Sequence, residues 1–267
     1  MPTRNEPWPP GTPCWVDVQV DDTTAARTFY SSLFGWQIED SPEEFGGYLM
    51  AMKDGAPAAG IGPKPDGMPM PSVWTTYLAS TDADATAADV TAAGGQVMMP
   101  PFDVGDVGRM TVALDPTGAA FGIWQAGSHA GAGIYNENGA YVWNECHTRD
   151  FAAAKAFYAQ VFGYTYTGMG DATADDGYAT FTVPGGADVA GGICDDTAMP
   201  GAPEVPAHWL TWFAVDDVDA TTERATGLGA STLMGPDDSP VGRMVVLAGQ
   251  QGEVFGLIQL GAAPATQ

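Results

Sequence analysis

The sequence predicts an α+β fold of four βαβββ units arranged as two tandem halves, and three observations carry that prediction. "FYSSLFGW" at 29–36 returns as "FYAQVFGY" at 157–164. "VGRM" at 107–110 returns at 241–244, and "FGIWQAG" at 121–127 is echoed by "FGLIQLG" at 255–261. The matches keep their order while their spacing grows from 128 to 134 residues, so the second copy carries a net six extra residues between Tyr164 and Val241, a change that loops absorb.

Each half reads as strand, helix and strands, twice over. "CWVDVQV" (14–20) alternates as a strand, Asp22 is placed to cap a helix, and Ala26, Phe29, Tyr30 and Leu33 fall on one helical face before Gly35 supplies a left-handed stop. The second copy repeats this with "YVWNECHT" (141–148), the cap Asp150, the stripe Ala154, Phe157, Tyr158 and Val161, and the stop Gly163. The repeated aromatic pair is therefore the packing face of a helix lying on a sheet. Extended segments follow at 47–53 and 58–63, matched by 178–183 and 189–194. The second cycle runs from "TTYLAS" (75–80) through a helix at 82–93 to "GQVMMPP", "GRMTVALD" and "AAFGIWQA". Its counterpart runs from "WLTWFAV" (209–215) through a helix at 217–227 to "STLMGP", "GRMVVLA" and "EVFGLIQL". The expected domains are 1–126 and 141–267, joined by a Gly-rich linker at 127–140.

Composition narrows the function classes. Thirty-three acidic against nine basic residues give a formal charge of −24 and an isoelectric point near 4.1, which disfavours phosphate backbones and anionic membranes as partners. The N-terminal stretch has no basic segment followed by an apolar one, and no apolar run is long enough to span a bilayer, so the cytoplasm is the expected location. Cys14, Cys146 and Cys194 are too few and too irregularly spaced for a disulfide framework or a cysteine zinc site, and are expected to be reduced thiols.

The four units, the "FY…LFG" helix end after the first strand, "TDADATAADVTAAGGQV" and "VGRMTVALDPTGAAFGIWQ" together resemble the vicinal oxygen chelate superfamily over nearly the whole chain. That superfamily includes glyoxalase I, extradiol dioxygenases, fosfomycin-modifying enzymes and bleomycin-binding resistance proteins. The likeness is greatest to two-domain, glyoxalase-like actinobacterial proteins often labelled hydroxylases. It implies paired units whose sheets curl into cups, with metal ligands on the inner face of the metal-dependent members. Carried over by position, the first-strand ligand falls on Trp15 and Trp143, the last-strand glutamate on Gly122 and Gly256, and the ligand on the strand opening the second unit on about Thr75 and Leu210. Neither indole can bind a metal, and the glycines offer no side chain. The resemblance therefore implies cups without the usual metal, and no cofactor is expected, although a displaced divalent site is chemically allowed.

Strand alternation puts Trp15, Asp17 and Gln19 on one face, and Trp143, Glu145 and His147 on the equivalent face of the second copy. Indole rings with a few polar groups are the inventory of a small-molecule pocket. Tyr77 and Trp124 extend the first wall, and Arg109 and Arg243 occupy matching positions from which each could hold an anionic substrate or pair with Asp103 or Asp106, and Asp237 or Asp238. Glu145, His147 and His208 form the candidate catalytic set, with a carboxylate and two imidazoles in reach of one another. The bland alternative makes Glu145 a hydrogen-bonded inner-strand residue and the two histidines unrelated. His129, in the linker, is expected to be solvated.

Three functions are open on this reading. One is a metal-independent lyase, isomerase or cyclase acting on a carbonyl-containing or aromatic metabolite. Another is a non-catalytic binding protein that sequesters a drug-like aromatic compound or metabolite, as the resemblance to bleomycin-binding proteins implies, and the third a metal-dependent glyoxalase or oxygenase with a displaced site. The expected partner is a small molecule, and both a monomer and a homodimer fit the sequence.

Overall fold

The computed structural model describes residues 3–65, 67, 70–169, 173–198 and 205–260. The first unit is β1 (Pro13–Val20), α1 (Thr23–Phe34), β2 (Gln37–Asp40), β3 (Leu49–Lys53) and β4 (Ala56–Pro63). The second comprises β5 (Val73–Ser80), α2 (Ala83–Ala92), β6 (Gln96–Val97), β7 (Phe102–Val104), β8 (Gly108–Leu114) and β9 (Ala120–Ala126). In the other half, β10 (Tyr141–Thr148), α3 (Phe151–Phe162), β11 (Thr165–Gly168), β12 (Tyr178–Thr182) and β13 (Gly191–Asp195) make the third unit. The fourth is β14 (His208–Ala214), α4 (Val218–Gly227), β15 (Ser231–Ser239), β16 (Gly242–Ala248) and β17 (Val254–Leu260).

The helix ends form as their residues dictate. Asp22 accepts backbone N–H bonds from Thr24 and Ala25 at 2.9 and 3.0 Å, and Asp150 accepts one from Ala153 at 3.1 Å. Gly35 and Gly163 both close their helices at φ 70°, a left-handed conformation that a side chain would strain.

Units one and two share one sheet, in the order β2-β3-β4-β1-β5-β9-β8-β6 with β7 also on β8. Units three and four share the other, ordered β11-β12-β13-β10-β14-β17-β16-β15. In each, the opening strands of two units meet antiparallel at the centre, β1 on β5 and β10 on β14, and each opening strand is parallel to the last strand of its own unit. The pleat then sorts the side chains. Val16, Val18 and Val20 turn to the helix-covered face, and Trp15 and Asp17 turn to the open face, the cup.

The helix-covered faces of the two sheets pack against each other. Phe29, Tyr30 and Phe34 of α1 meet Phe213 and Phe255 of the second half, and Phe157, Tyr158 and Phe162 of α3 meet Phe121 of the first. All but Phe34 and Phe162 are essentially fully buried, each Phe contributing about 2 kcal/mol by removal from water. Two equivalent hydrogen-bond chains cross this seam. Trp74 Nε1 donates to Tyr30, whose hydroxyl donates to Glu253 at 2.8 Å; Trp209 Nε1 donates to Tyr158, whose hydroxyl donates to Asp115 at 3.1 Å. The repeated tyrosine thus docks each half onto the other. At the centre of the seam the hydroxyls of Thr76 and Thr211 both donate to Asn144 Oδ1 at 2.9 Å.

The joining segment at 127–140 is bonded along the first half. Ala132 N donates to Cys14 O and Gly133 N to Pro57 O, at 2.7 and 2.8 Å. The expectation that His129 is solvated is overturned. Its ring packs between Trp15 and Trp124, because the bonds flanking it draw the segment across the first cup. Among the described residues no helix is long and apolar enough to cross a membrane, and all three cysteines are free thiols.

Candidate functional site

The second cup holds a cavity of about 590 Å³. Its base is β10, where Trp143 and Glu145 point outward from alternate positions, and its walls include Trp212 of β14, Tyr178 of β12, Met244 of β16 and Ile258 of β17. The N-terminal segment and the joining segment complete the rim with Arg4, Trp8 and Tyr135. The wall is mainly aromatic and apolar, and Glu145 is its buried charge.

Glu145 is held from three sides. Trp212 Nε1 donates to Oε1 at 2.8 Å, Tyr178 Oη donates to Oε2 at 2.7 Å, and His147 Nε2 lies 3.2 Å from Oε1. Trp143 Nε1 in turn donates to the Tyr178 hydroxyl at 2.9 Å, so the two indoles and the phenol are fixed relative to one carboxylate. The other nitrogen of His147, Nδ1, lies 2.9 Å from Asp196 Oδ1. With a carboxylate at each ring nitrogen, His147 satisfies both only as an imidazolium. Burial opposes that charge, yet the bonds to Asp196, Cys194 and Glu145 outweigh it and hold His147 well above its usual value. Burial likewise opposes ionisation of Glu145, and His147, Tyr178 and Trp212 overcome it, so its carboxyl sits below the usual range.

The proposed site residues are distributed unequally. Glu145 and Trp143 line the cavity; His147 stands behind Glu145, 7 % exposed, and away from the cavity wall. His208 stacks on His147 with ring centroids 4.9 Å apart, and burial together with the neighbouring imidazolium lowers its pKa. Its Nδ1 is bonded to the Pro206 carbonyl, so it supports His147 without reaching Glu145. Trp15, Asp17, Tyr77 and Trp124 gather in the first cup. Gln19 follows Asp17 on the same face, at the position that His147 holds in the second cup.

Arg109 and Arg243 are paired with carboxylates. Each is fastened through Nε and Nη2 to an aspartate in the first turn of the helix that precedes it in the chain, Asp84 of α2 or Asp219 of α4, and through Nη1 to Asp103 or Asp238. A guanidinium with two carboxylate partners on the surface has little left for a substrate.

The sequence reading did not single out Tyr48, Tyr178, Trp212, Asp196 or Tyr135. A signal existed for the first two: "GYLM" and "GYAT" recur at the same place in the two halves. The tyrosine ring lies over a glycine of the adjacent strand, Gly60 or Gly192, where a Cβ would come within 1.7 or 2.2 Å of the hydroxyl oxygen.

The positions that carry metal ligands in the implied family do not fit a cation. Trp15 and Trp143 fill the first-strand position, and Tyr77 and Trp212 lie across Gly122 and Gly256 in the central strands. Tyr77 and Trp212, two residues beyond Thr75 and Leu210, are thus the cup-facing groups there. Elsewhere, His147, Cys194 and Asp196 bring ligand atoms within 4.8 Å of one another, though His147 Nδ1 is already engaged by Asp196.

The model of the Glyoxalase/Bleomycin resistance protein/Dioxygenase superfamily matches twice, over residues 14–123 and 145–256. The chain belongs to this superfamily. It is 46% identical over 264 residues to "Putative glyoxylase CFP32" of Mycobacterium tuberculosis, covering 97% of this chain and 98% of the relative. It is 38% identical over 269 residues to "Anthracycline biosynthesis protein DnrV" of Streptomyces peucetius, covering 94% of each. Among solved structures, the Mn(II)-bound glyoxalase from Novosphingobium aromaticivorans superposes with a TM-score of 0.63 at 16% identity, over 94% of this chain and 82% of that one. The 2,3-dioxygenase LapB from Pseudomonas sp. KL28 gives 0.62 at 14% identity, over 96% and 94%. These two likenesses establish the superfamily fold, in which the present cups carry aromatic rings where the family implies ligands.

Proposed function

We propose that the protein binds a flat aromatic or conjugated carbonyl metabolite in the second cup and that Glu145 fixes its orientation. The cavity carries this reading: about 590 Å³ of space with Trp143, Trp212, Tyr135 and Tyr178 on its walls and one ionised carboxylate at its base. A volume in the range of about 300–1,000 Å³ suits a drug-sized guest. The rings supply stacking area, and the carboxylate selects a guest that presents a hydroxyl or N–H to it. The relatives named for anthracycline biosynthesis are consistent with that class, fused rings carrying hydroxyl and carbonyl groups. Three donors already hold Glu145 and its pKa is depressed, so the geometry supports binding and orientation ahead of base catalysis.

A second reading, a metal-independent lyase, isomerase or cyclase, draws on the imidazolium 3.2 Å behind Glu145. A proton leaving a ligand carbon for Glu145 Oε2 would leave its electron pair on the ligand as an enolate, and His147 would keep the buried charge balanced through the step. Three free thiols suit a reducing compartment such as the cytoplasm for either reading.

Titration of the intact protein with 1,4-dihydroxyanthraquinone, followed by calorimetry and indole fluorescence, tests binding. Truncating an aromatic anchor should weaken it at least about tenfold in Trp143→Ala and Trp212→Ala. Absence of binding to the parent, or equal affinity in all three proteins, rejects the reading. For the catalytic reading, Glu145→Gln should abolish turnover and leave affinity largely intact; unchanged turnover removes Glu145 from that role.

A further inference from the structure

The first cup repeats the hydrogen-bonded arrangement of the second, and a ring of the same chain already lies in it. Trp15 Nε1 donates to Tyr48 Oη at 3.0 Å, and Tyr48 and Tyr77 both donate to Asp17 Oδ2, at 3.2 and 3.0 Å. These four residues stand where Trp143, Tyr178, Trp212 and Glu145 stand in the second cup. The His129 imidazole sits edge-on to Trp15, with ring centroids 4.5 Å apart and planes at 87°, and 5.6 Å from Trp124. Aromatic guests favour this edge-to-face contact against an indole wall.

Among the described residues, two polar atoms here are buried without a partner, Asp17 Oδ1 and His129 Nε2. Asp17 is only 5 % exposed. Buried polar atoms are almost always satisfied, so an unmet carboxyl oxygen at the base of a ring-walled cup marks the place for a ligand hydroxyl, which can donate to it or accept from it. Turning the plug out costs no bond of its backbone. His129 N donates to Val107 O at 3.0 Å and its carbonyl accepts from Trp124 Nε1 at 3.0 Å, and both bonds survive if only the side chain swings out.

We propose that the first cup is a second binding site, for a small aromatic molecule bearing a hydroxyl, and that His129 occupies it as an internal ligand which the guest must displace. The choice of guest chemistry rests on the reading of the second cup; the plugged site itself rests on Asp17, Trp15 and His129.

Phenol is the probe, and the Trp15 indole N–H resonance of the intact protein is the reporter. His129→Ala should bind phenol with a shift of that resonance, and His129→Phe, which refills the cup with a ring, should not. In the parent the same shift should require at least about tenfold more phenol, since a guest that competes with a closed state loses affinity in proportion to the closed fraction. If His129→Ala does not fold, His129→Ser gives the same comparison. A Trp15 resonance that phenol does not move in the opened variant, or that moves at the same concentration in variant and parent, overturns the proposal. Loss of dihydroxyanthraquinone affinity in Trp143→Ala assigns that titration to the second cup, whereas phenol is read at Trp15, so failure of the former leaves the Trp15 result standing.

Discussion

Trp212 lies with its six-membered ring across the backbone of Gly256, and a Cβ at that glycine would come within 2.1 Å of ring atom Cε3. The indole and the missing side chain are one adaptation: the ring occupies the space in which a ligand-bearing residue would stand. Gly256→Glu alone should therefore overpack the cup and destabilise the protein by about 3 kcal/mol. Adding Trp212→Ala should recover part of that loss, a non-additivity that denaturant unfolding of the single and double variants measures.

Asp17 should make the protein less stable as pH rises. Burial pushes its carboxyl up to about 7, and the hydroxyls of Tyr77 and Tyr48 offset this only in part. Between its ordinary 3.8 and about 7 the folded state holds a proton that the unfolded state has released, so stability falls across that window and stays low above it. Asp17→Asn removes the titration. It should raise stability at pH 8 by about 2–4 kcal/mol and remove the Asp17 share of the decline, as urea unfolding from pH 4 to 8 will show.

The Glu145–His147 pair has the opposite acid limb. The raised pKa of His147 contributes stability that is fully present below its ordinary 6.5 and is lost as pH climbs through the folded value. The lowered pKa of Glu145 contributes stability that is present above its ordinary 4.5 and is lost as pH falls through the folded value. The pair should thus be worth most between 4.5 and 6.5. His147→Gln should erase the decline above 6.5 and cost about 3 kcal/mol at pH 6, because Glu145 and Asp196 are left facing one another without a cation.

Tyr30→Phe should loosen the contact between the halves. Loss of the hydroxyl leaves Trp74 Nε1 without its acceptor and Glu253 one donor short, a cost of about 1–3 kcal/mol. Tyr158→Phe should cost a similar amount through Trp209 and Asp115. Chemical denaturation should show each variant unfolding in one transition at lower midpoint, since both halves share the packed seam.

Much of the fold was legible because the chain states it twice. The caps Asp22 and Asp150, the stops Gly35 and Gly163 and the Phe–Tyr pairs are local signals, and local signals repeated in order survive where a single instance is ambiguous. The first-strand residues Trp15, Asp17, Trp143 and Glu145 followed from strand alternation for the same reason. What alternation cannot give is which residues arrive from elsewhere. Asp196 reaches His147 from beyond β13, Tyr135 closes the second cup from the joining segment, and His129 fills the first cup from that same segment. Those placements depend on the path of irregular chain, which has no period to read. The two arginines show a further limit, since Asp84 and Asp219 lie a helix away in sequence and become partners only when α2 and α4 lie against their sheets.

Asn144 has no counterpart in the other half, where Val16 holds the equivalent place. A pair of identical first halves would therefore set valine against the Thr76 hydroxyls and strand them, whereas the natural chain offers one amide oxygen to two threonines. That asymmetry disfavours self-association of the first copy, and joining the two halves in one chain keeps each Thr76 beside an Asn144.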